Sequence, residues 1–354
     1  MPGSAPTTRG ACGSASSRSA RAMTEPAPSH ASAPPGTMTA AVVAEPGQVA
    51  PREVGVPEPG DAQVRIRLEG SGVCGSSLPV WQGRPWFTYP LEPGAPGHEG
   101  GGRIDAVGPG VEHLHVGDRV AALSYHAHAE YDLAAADAVV TLPEELAGVP
   151  FPGEPLGCAM NVFERSDIAP GQDVAIIGIG FLGALLVQLA ARAGARVLAI
   201  SRRPFALDVA RRLGADEVIE LDDPWRVAER VEELTRGALC QRVIEAVGTP
   251  EPLTLAGRLA AVRGRLVIAG FHQDGLREVD MQRWNWHGLD VINAHEREAS
   301  RYRHGMRAAV EAVRSGRLDP SPLYTHVFPL ERVGEAYALM EERPDGFLKA
   351  LVTT

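Results

Sequence analysis

From about residue 172 onward, short apolar runs alternate with stretches whose apolar residues recur every three or four positions. The runs predict strands at Asp173–Gly178, Arg196–Ser201, Glu217–Ile219, Arg242–Ala246, Arg265–Ala269 and Val291–Ala294. The stretches between them predict helices at Phe181–Ala193, Pro204–Leu213, Trp225–Arg236 and Leu253–Leu259. Continuous apolar strands separated by helices mean a parallel sheet covered on both faces. Before residue 150 the texture differs. Strands such as Ala40–Val43, Gln63–Leu68 and Gly102–Val107 are short, with dense Gly and Pro between them, which predicts a mostly β module. The end of the chain carries two helical patterns, Arg303–Ser315 and Leu330–Glu342, and a last strand at Phe347–Val352. The fold class is therefore α/β, a β module joined to a doubly wound module.

One run tests this reading. Val174 to Ala191 holds 18 residues with only Gln188 polar, the length of a short membrane-spanning helix. Gly178, Gly180 and Gly183 divide it, so a buried strand, a glycine turn and a helix account for it without lipid.

Composition narrows the classes. The 354 residues suggest about two domains. With 44% hydrophobic and 22% charged residues the chain has the make-up of a globular protein. A net charge of −10 argues against general nucleic-acid binding, which needs clustered cations. Among the 34 basic residues only Lys349 is a lysine, the usage expected from GC-rich coding DNA. Residues 1–37 are Ser, Ala, Pro and Gly with three Arg and one acid, Glu25, and show no apolar periodicity, so disorder is expected. No secretory apolar core is present there. The plain reading is a start codon placed too early, with Met38 or Met23 the true beginning; a transit peptide is the alternative. A cytoplasmic protein is expected. The four cysteines, Cys12, Cys74, Cys158 and Cys240, are too few and too spread for a disulfide framework.

Gly178-Ile179-Gly180-Phe181-Leu182-Gly183 fits G-x-G-x-x-G after an apolar strand and at the opening of a helix, the context in which the motif binds a dinucleotide. The helix N-terminus supplies positive charge to the phosphates. The second strand ends in Ser201-Arg202-Arg203, where NAD-binding folds usually place a carboxylate for the ribose. Nothing there repels a 2′-phosphate and two guanidiniums can bind one, so NADP is favoured over NAD.

Metal-type ligands lie in three patches: Gly72-Val73-Cys74-Gly75-Ser76-Ser77, Gly97-His98-Glu99-Gly100 and Glu154-Pro155-Leu156-Gly157-Cys158. Each alone is weak, because a single Cys or His is usually core. Together they supply thiolate, imidazole and carboxylate, a set suited to Zn²⁺.

With Gly117-Asp118-Arg119-Val120 added, these motifs resemble in order and spacing the medium-chain dehydrogenase/reductases, in their zinc-dependent alcohol and polyol (sorbitol/threonine-type) branch. The resemblance covers Met38 to Thr354. It implies a GroES-like catalytic domain of residues 38–155 plus 297–354 and a Rossmann domain of residues 156–296. It implies Cys74 and His98 as zinc ligands and leaves open which of Glu99, Cys158 and, as an alternate, Glu154 complete the set. Ser76 matches the hydroxyl that takes the substrate proton, and His295 lies where the family approaches nicotinamide and substrate. A homodimer or homotetramer is implied as well.

The chain departs from the family in three places. Ser77 stands where an acid often orients the zinc-binding His. Pro79 replaces the relay histidine. Only Ala121–Glu130 lies where a four-cysteine structural zinc lobe would sit, which predicts one zinc per chain, or none, and no structural zinc. His126 and His128 form a His-x-His pair expected to line the pocket or the surface. Trp81, Trp86, Phe87 and Tyr89 are candidates for the pocket wall, beside ordinary packing.

The activity implied is hydride transfer between NAD(P) and a secondary alcohol or polyol, or the matching carbonyl. Cys74, Ser76, His98 and Glu99 form the reaction site, and Gly178, Gly180, Phe181, Leu182, Gly183, Ser201, Arg202, Arg203 and His295 hold the cofactor. The partner is a small molecule, with neither nucleic acid nor membrane. The alternatives are a zinc-independent NADPH-dependent quinone or enone reductase of the same fold, which the Cys, His and Glu patches speak against, and a non-catalytic nucleotide-binding relative.

Overall fold

A computed structural model describes residues 36–354. The expectation of disorder over residues 1–37 and the unassigned Cys12 thus fall almost wholly outside the described residues.

Six parallel strands form one sheet in the spatial order Glu217–Glu220, Arg196–Ser201, Asp173–Ile177, Cys240–Glu245, Ala260–Ile268, Asp290–Asn293. The order reverses between Asp173–Ile177 and Cys240–Glu245, where Ile177 and Glu245 are paired at the strand ends. A crevice outside the carboxyl ends of two such strands is where open α/β sheets take ligands. Val174, Ile176, Val197, Ala199, Val243 and Ile244 are fully enclosed, which is why these strands read as unbroken apolar runs.

The other large sheet has seven strands. Along its main path the order is Tyr324–Pro329, Lys349–Thr353, Gln63–Gly72, Gly100–Val107, Arg119–Ala122, Val139–Thr141, and Tyr131–Ala135 pairs with Gln63–Gly72 off that path. Its first two strands come from the far end of the chain, so the sheet is discontinuous in sequence. A hairpin, Thr37–Glu45 with Gln48–Gly55, packs beside it.

Most predicted elements recur with ends moved by a few residues. Among the elements with no counterpart in the sequence reading are the strands Gln48–Gly55 and Tyr324–Pro329 and the helices Gly153–Ser166 and Met281–His287. The last of these buries no residue, so it has no apolar stripe to find. The first helix opens Gly-Glu-Pro, which looks like a loop. Proline is tolerated there because first-turn amides have no partner within the helix. None of the described helices is long and apolar enough to cross a membrane.

Candidate active site

Strand register builds the site. Ser71 pairs with Gly100, so Cys74, just beyond one strand, lies next to His98 and Glu99, just before the other. Leu351 pairs with Gly72 on the opposite side, which brings Lys349 level with Cys74. The donor atoms of Cys74, His98 and Glu99 all lie within 4.8 Å of one another.

The His98 ring is fixed from behind. Its Nδ1 lies 2.9 Å from the Pro96 carbonyl oxygen, which can only accept, so Nδ1 carries a proton and, in the neutral ring, Nε2 is the free donor atom. The orienting acid missing at position 77 is thus replaced by a backbone oxygen. Ser76 Oγ lies 3.4 Å from Nε2 and donates to Cys74 Sγ at 3.2 Å, which places the hydroxyl against two of the donors. Burial alone would lower the His98 pKa, but negative charge at Cys74, then Glu154 and Glu99, outweighs it and holds the imidazole up at about 10.

Glu99 is wholly buried and faces Lys349, which is 4% exposed. Lys349 Nζ donates to Glu99 Oε1 at 2.6 Å and to the Val73 carbonyl at 3.1 Å. It also lies 2.5 Å from Oε2, but outside hydrogen-bonding geometry, so Oε2 has no hydrogen-bond partner. A buried carboxylate oxygen without a hydrogen bond, beside a thiol and an aimed imidazole, fits a divalent cation. Gly72 leaves the room: a Cβ there would come within 1.8 Å of Glu99 Oε2.

Cys158 and Glu154 sit one helical turn apart on Gly153–Ser166, so they share a face, and Cys158 Sγ donates to Glu154 Oε1 at 3.1 Å. Burial, then the Glu154 charge, pushes the Cys158 thiol well above its ordinary value. Burial raises Glu154 too. The Glu154 charge reaches His98, and those of Cys74 and Glu99 reach Cys158, so the pair adjoins the cluster, but the three converging donors are those of Cys74, His98 and Glu99.

At the nucleotide end the glycines divide the work. Gly178 has φ +97, and a Cβ there would meet Val247 Cγ2 at 2.5 Å. A Cβ on Gly183 would lie 2.0 Å from the Gly178 carbonyl oxygen, so this glycine lets the helix pack on the turn. A Cβ on Gly180 would meet nothing within 4 Å, an open side of the kind a pyrophosphate fills. Phe181 and Leu182 begin the helix that follows. Ser201 Oγ accepts from the Arg203 backbone amide at 3.3 Å. Arg202 is exposed, whereas the Arg203 guanidinium donates to the carbonyls of Phe347 and Ile179. His295 stacks on Phe271, with ring centroids 5.4 Å apart.

The His-x-His expectation needs correction. His128 lines neither pocket nor surface: it is 2% exposed, with Nδ1 2.9 Å from Ser71 Oγ and Nε2 3.0 Å from Tyr337 Oη. Burial, then the charges of His98 and Lys349, lowers it to about 3, so it is neutral. Trp81 stacks on Tyr337 and donates to Glu341, which makes it packing against the C-terminal helix. Trp86 stays exposed beside Phe87.

Sequence reasoning missed several groups. Lys349 entered only as a compositional curiosity. Tyr302 Oη donates to the Glu296 carbonyl at 3.0 Å and lies near enough to Cys158 and Glu154 to feel their charge. Glu245, wholly buried at the switch point, accepts from the amides of Val247 and Gly248 at 2.7 Å and from His272 Nε2 at 3.0 Å. No local pattern marks these, because each depends on a partner distant in sequence or on a backbone atom.

Comparison with known proteins bears on the family and the fold. Residues 60–175 match the alcohol dehydrogenase GroES-like domain, and residues 182–312 match the zinc-binding dehydrogenase model. An alcohol dehydrogenase of Rhizobium meliloti is 33% identical over 270 residues, 66% of this chain and 77% of that protein. The sorbitol dehydrogenase of Gallus gallus is 28% identical across 85% of this chain and 93% of its own. A solved Escherichia coli alcohol dehydrogenase complexed with NADH superposes with a TM-score of 0.79 at 26% identity, over 90% of this chain and 100% of that one. The fold and the site together define a zinc-type dehydrogenase. The chain belongs to the zinc-dependent medium-chain alcohol dehydrogenases and is an NAD(P)-dependent oxidoreductase acting on alcohols.

Proposed function

We propose that this protein moves a hydride between NADP and a secondary alcohol or polyol, or the matching carbonyl, at one zinc ion per chain held by Cys74, His98 and Glu99. The observation that carries the reading is the convergence of those three donors to within 4.8 Å of one another. Zinc bound there would supply a Lewis acid for the substrate oxygen, and the nicotinamide the redox chemistry. The chain's own part is positional. Pro96 holds His98 with Nε2 forward, Lys349 holds Glu99, and Ser76 offers a hydroxyl that can receive the substrate proton. Cys158 with Glu154 stands beside the set as a further candidate ligand and an alternate carboxylate. A metal-free quinone or enone reductase would have no use for such a cluster.

The same reading divides the chain into a catalytic domain of residues 38–155 plus 297–354 and a nucleotide domain of residues 156–296. Gly178, Gly180 and Gly183 seat the pyrophosphate, Arg202 favours the 2′-phosphate, and His295 flanks the nicotinamide. NADP rests on the absence of a carboxylate after Ser201. A homodimer or homotetramer is in keeping with the unpaired edge strand Asp290–Asn293, beside which Met281 and Trp286 are exposed.

Metal analysis with turnover on a polyol panel tests the proposal. The expected result is one zinc per chain and activity lost on chelation and restored by zinc, with NADP preferred. Undiminished activity in verified metal-free protein refutes it.

A further inference from the structure

His128 lies outside the donor set, yet the segments that flank the metal donors converge on it. Its buried ring is bonded at both nitrogens, Nδ1 at 2.9 Å from Ser71 Oγ and Nε2 at 3.0 Å from Tyr337 Oη. Ser71 lies on strand Gln63–Gly72, which runs straight into the Cys74 loop. Tyr337 meets the imidazole edge-on, with ring centroids 5.7 Å apart, and is itself stacked on Trp81. Tyr337 also adjoins the far side of the Cys74 loop: burial raises the phenol, and the Ser77 hydroxyl draws it back down. Position 77, where an acid would orient His98, is thus turned to Tyr337 instead.

The backbone around the same residue holds the other donor segment. The His128 amide donates to the Gly94 carbonyl at 3.1 Å and the Ala127 amide to the Gly97 carbonyl at 2.9 Å, so the turn that delivers His98 and Glu99 is fastened at both ends. Gly97 lies flat against His128: a Cβ there would come 2.5 Å from its amide nitrogen and 2.9 Å from its ring Cγ. The His128 carbonyl in turn accepts from the Ala41 amide, on strand Thr37–Glu45. A neutral imidazole has one donor and one acceptor nitrogen, so it joins two hydroxyls only in a fixed orientation, and a buried polar network whose members are all satisfied rigidifies what it connects.

We infer that His128 is a positioning residue for the metal centre: by joining Ser71, Gly97 and Tyr337 it fixes the spacing between the Cys74 loop and the His98–Glu99 turn. The inference rests on the zinc reading above. His128 acts through the backbone of those two segments, not by touching metal or substrate.

Two measurements on the full-length protein test it: zinc affinity by competition with a chromophoric chelator, and the visible absorption of the cobalt(II)-substituted protein, which reports ligand geometry. His128→Phe keeps a ring and loses both nitrogens. It is expected to weaken zinc binding by roughly tenfold to a hundredfold and to shift the cobalt bands. Tyr337→Phe removes one of the two bonds and is expected to do the same to a smaller extent. His128→Asn, whose amide can still reach Ser71, is expected to recover part of the His128→Phe loss. His113→Gln, on an exposed loop, is the control expected to match wild type. Wild-type zinc affinity and an unshifted cobalt spectrum in folded His128→Phe protein overturn the inference, even if the thermal midpoint falls, and leave the zinc reading standing. Should His128→Phe not fold, Tyr337→Phe decides by the same two readouts. Wild-type protein that takes up no zinc overturns both readings.

Discussion

The two ends of this site are built from different material. At the nucleotide end the decisive features are backbone: three glycines, a helix start and a strand end, all within Gly178–Gly183 and the adjoining turn. At the metal end they are side chains of Cys74, His98, Glu99 and Lys349, drawn from three separate parts of the chain by strand register. Backbone sites are local and tolerate little change in shape. Side-chain sites are assembled at a distance and carry buried charge that must be matched. The two should therefore fail independently and in different ways.

The sharpest test of that independence is Cys74→Ala. Removing a metal ligand should forfeit a Lewis acid worth several kcal/mol, so turnover is expected to fall by about a thousandfold or more while nucleotide affinity stays within about twofold. If nucleotide affinity fell in parallel, the two ends would be one unit and the contrast would be wrong.

Next comes the buried ion pair. Lys349→Met takes from the buried Glu99 its hydrogen-bonded cation, and breaking such pairs destabilises by about 3–5 kcal/mol. The urea midpoint should drop accordingly. Adding Glu99→Gln to the same chain should recover much of the loss. An unshifted midpoint in the single variant would show that Glu99 is neutral without its partner.

Acidity gives a third test. In chelated protein, His98 is held at about 10 against an ordinary 6.5. A raised folded-state value stabilises fully below the unfolded value and ceases to do so as pH climbs through the folded one. Thermal midpoints of the metal-free protein should therefore decline between about pH 6.5 and 10. Zinc affinity should rise across the same window as the displaced proton becomes cheaper to remove. A His98→Asn variant should lose the His98 share of both trends.

The smallest effects separate the glycines. Gly178→Ala forces a side chain into a left-handed turn and onto Val247, and is expected to destabilise the fold by about 1–3 kcal/mol as well as weaken nucleotide binding. Gly180→Ala meets open space, so stability should stay within about 0.5 kcal/mol and only nucleotide affinity should fall. Equal destabilisation by both would mean that Gly180 serves the fold rather than a ligand.

The same contrast explains what the sequence revealed. The parallel sheet was legible because strands enclosed on both faces are continuous apolar runs, and the glycine turn because its whole mechanism lies in six adjacent residues. The candidate donors were visible as residue types, since Cys, His and Glu in those patches carry chemistry wherever they fold. Their completion was not. The Pro96 carbonyl that orients His98 belongs to the backbone and has no residue code. Lys349 is matched to Glu99 by a pairing across some 250 positions. The helix that puts Glu154 beneath Cys158 was hidden by its Gly-Glu-Pro opening, and without that helix the two ligand candidates could not be placed on one face. His128 was misjudged because a histidine beside alanines gives no sign of Ser71 and Tyr337, whose bonds enclose it.

The lone lysine has one further consequence. An amine-acylating reagent meets, besides the chain's α-amino group, a single ε-ammonium, and that one is shut behind Glu99 and Val73. The arginine-clad exterior is invisible to such a reagent. Acylation at Lys349 can proceed only when strand Lys349–Thr353 or the Glu99 loop swings open, so the rate of labelling is a clock for the breathing of the metal end. No tag needs to be introduced, and protection of that amine by bound zinc or nucleotide would report each ligand's hold on the closed state.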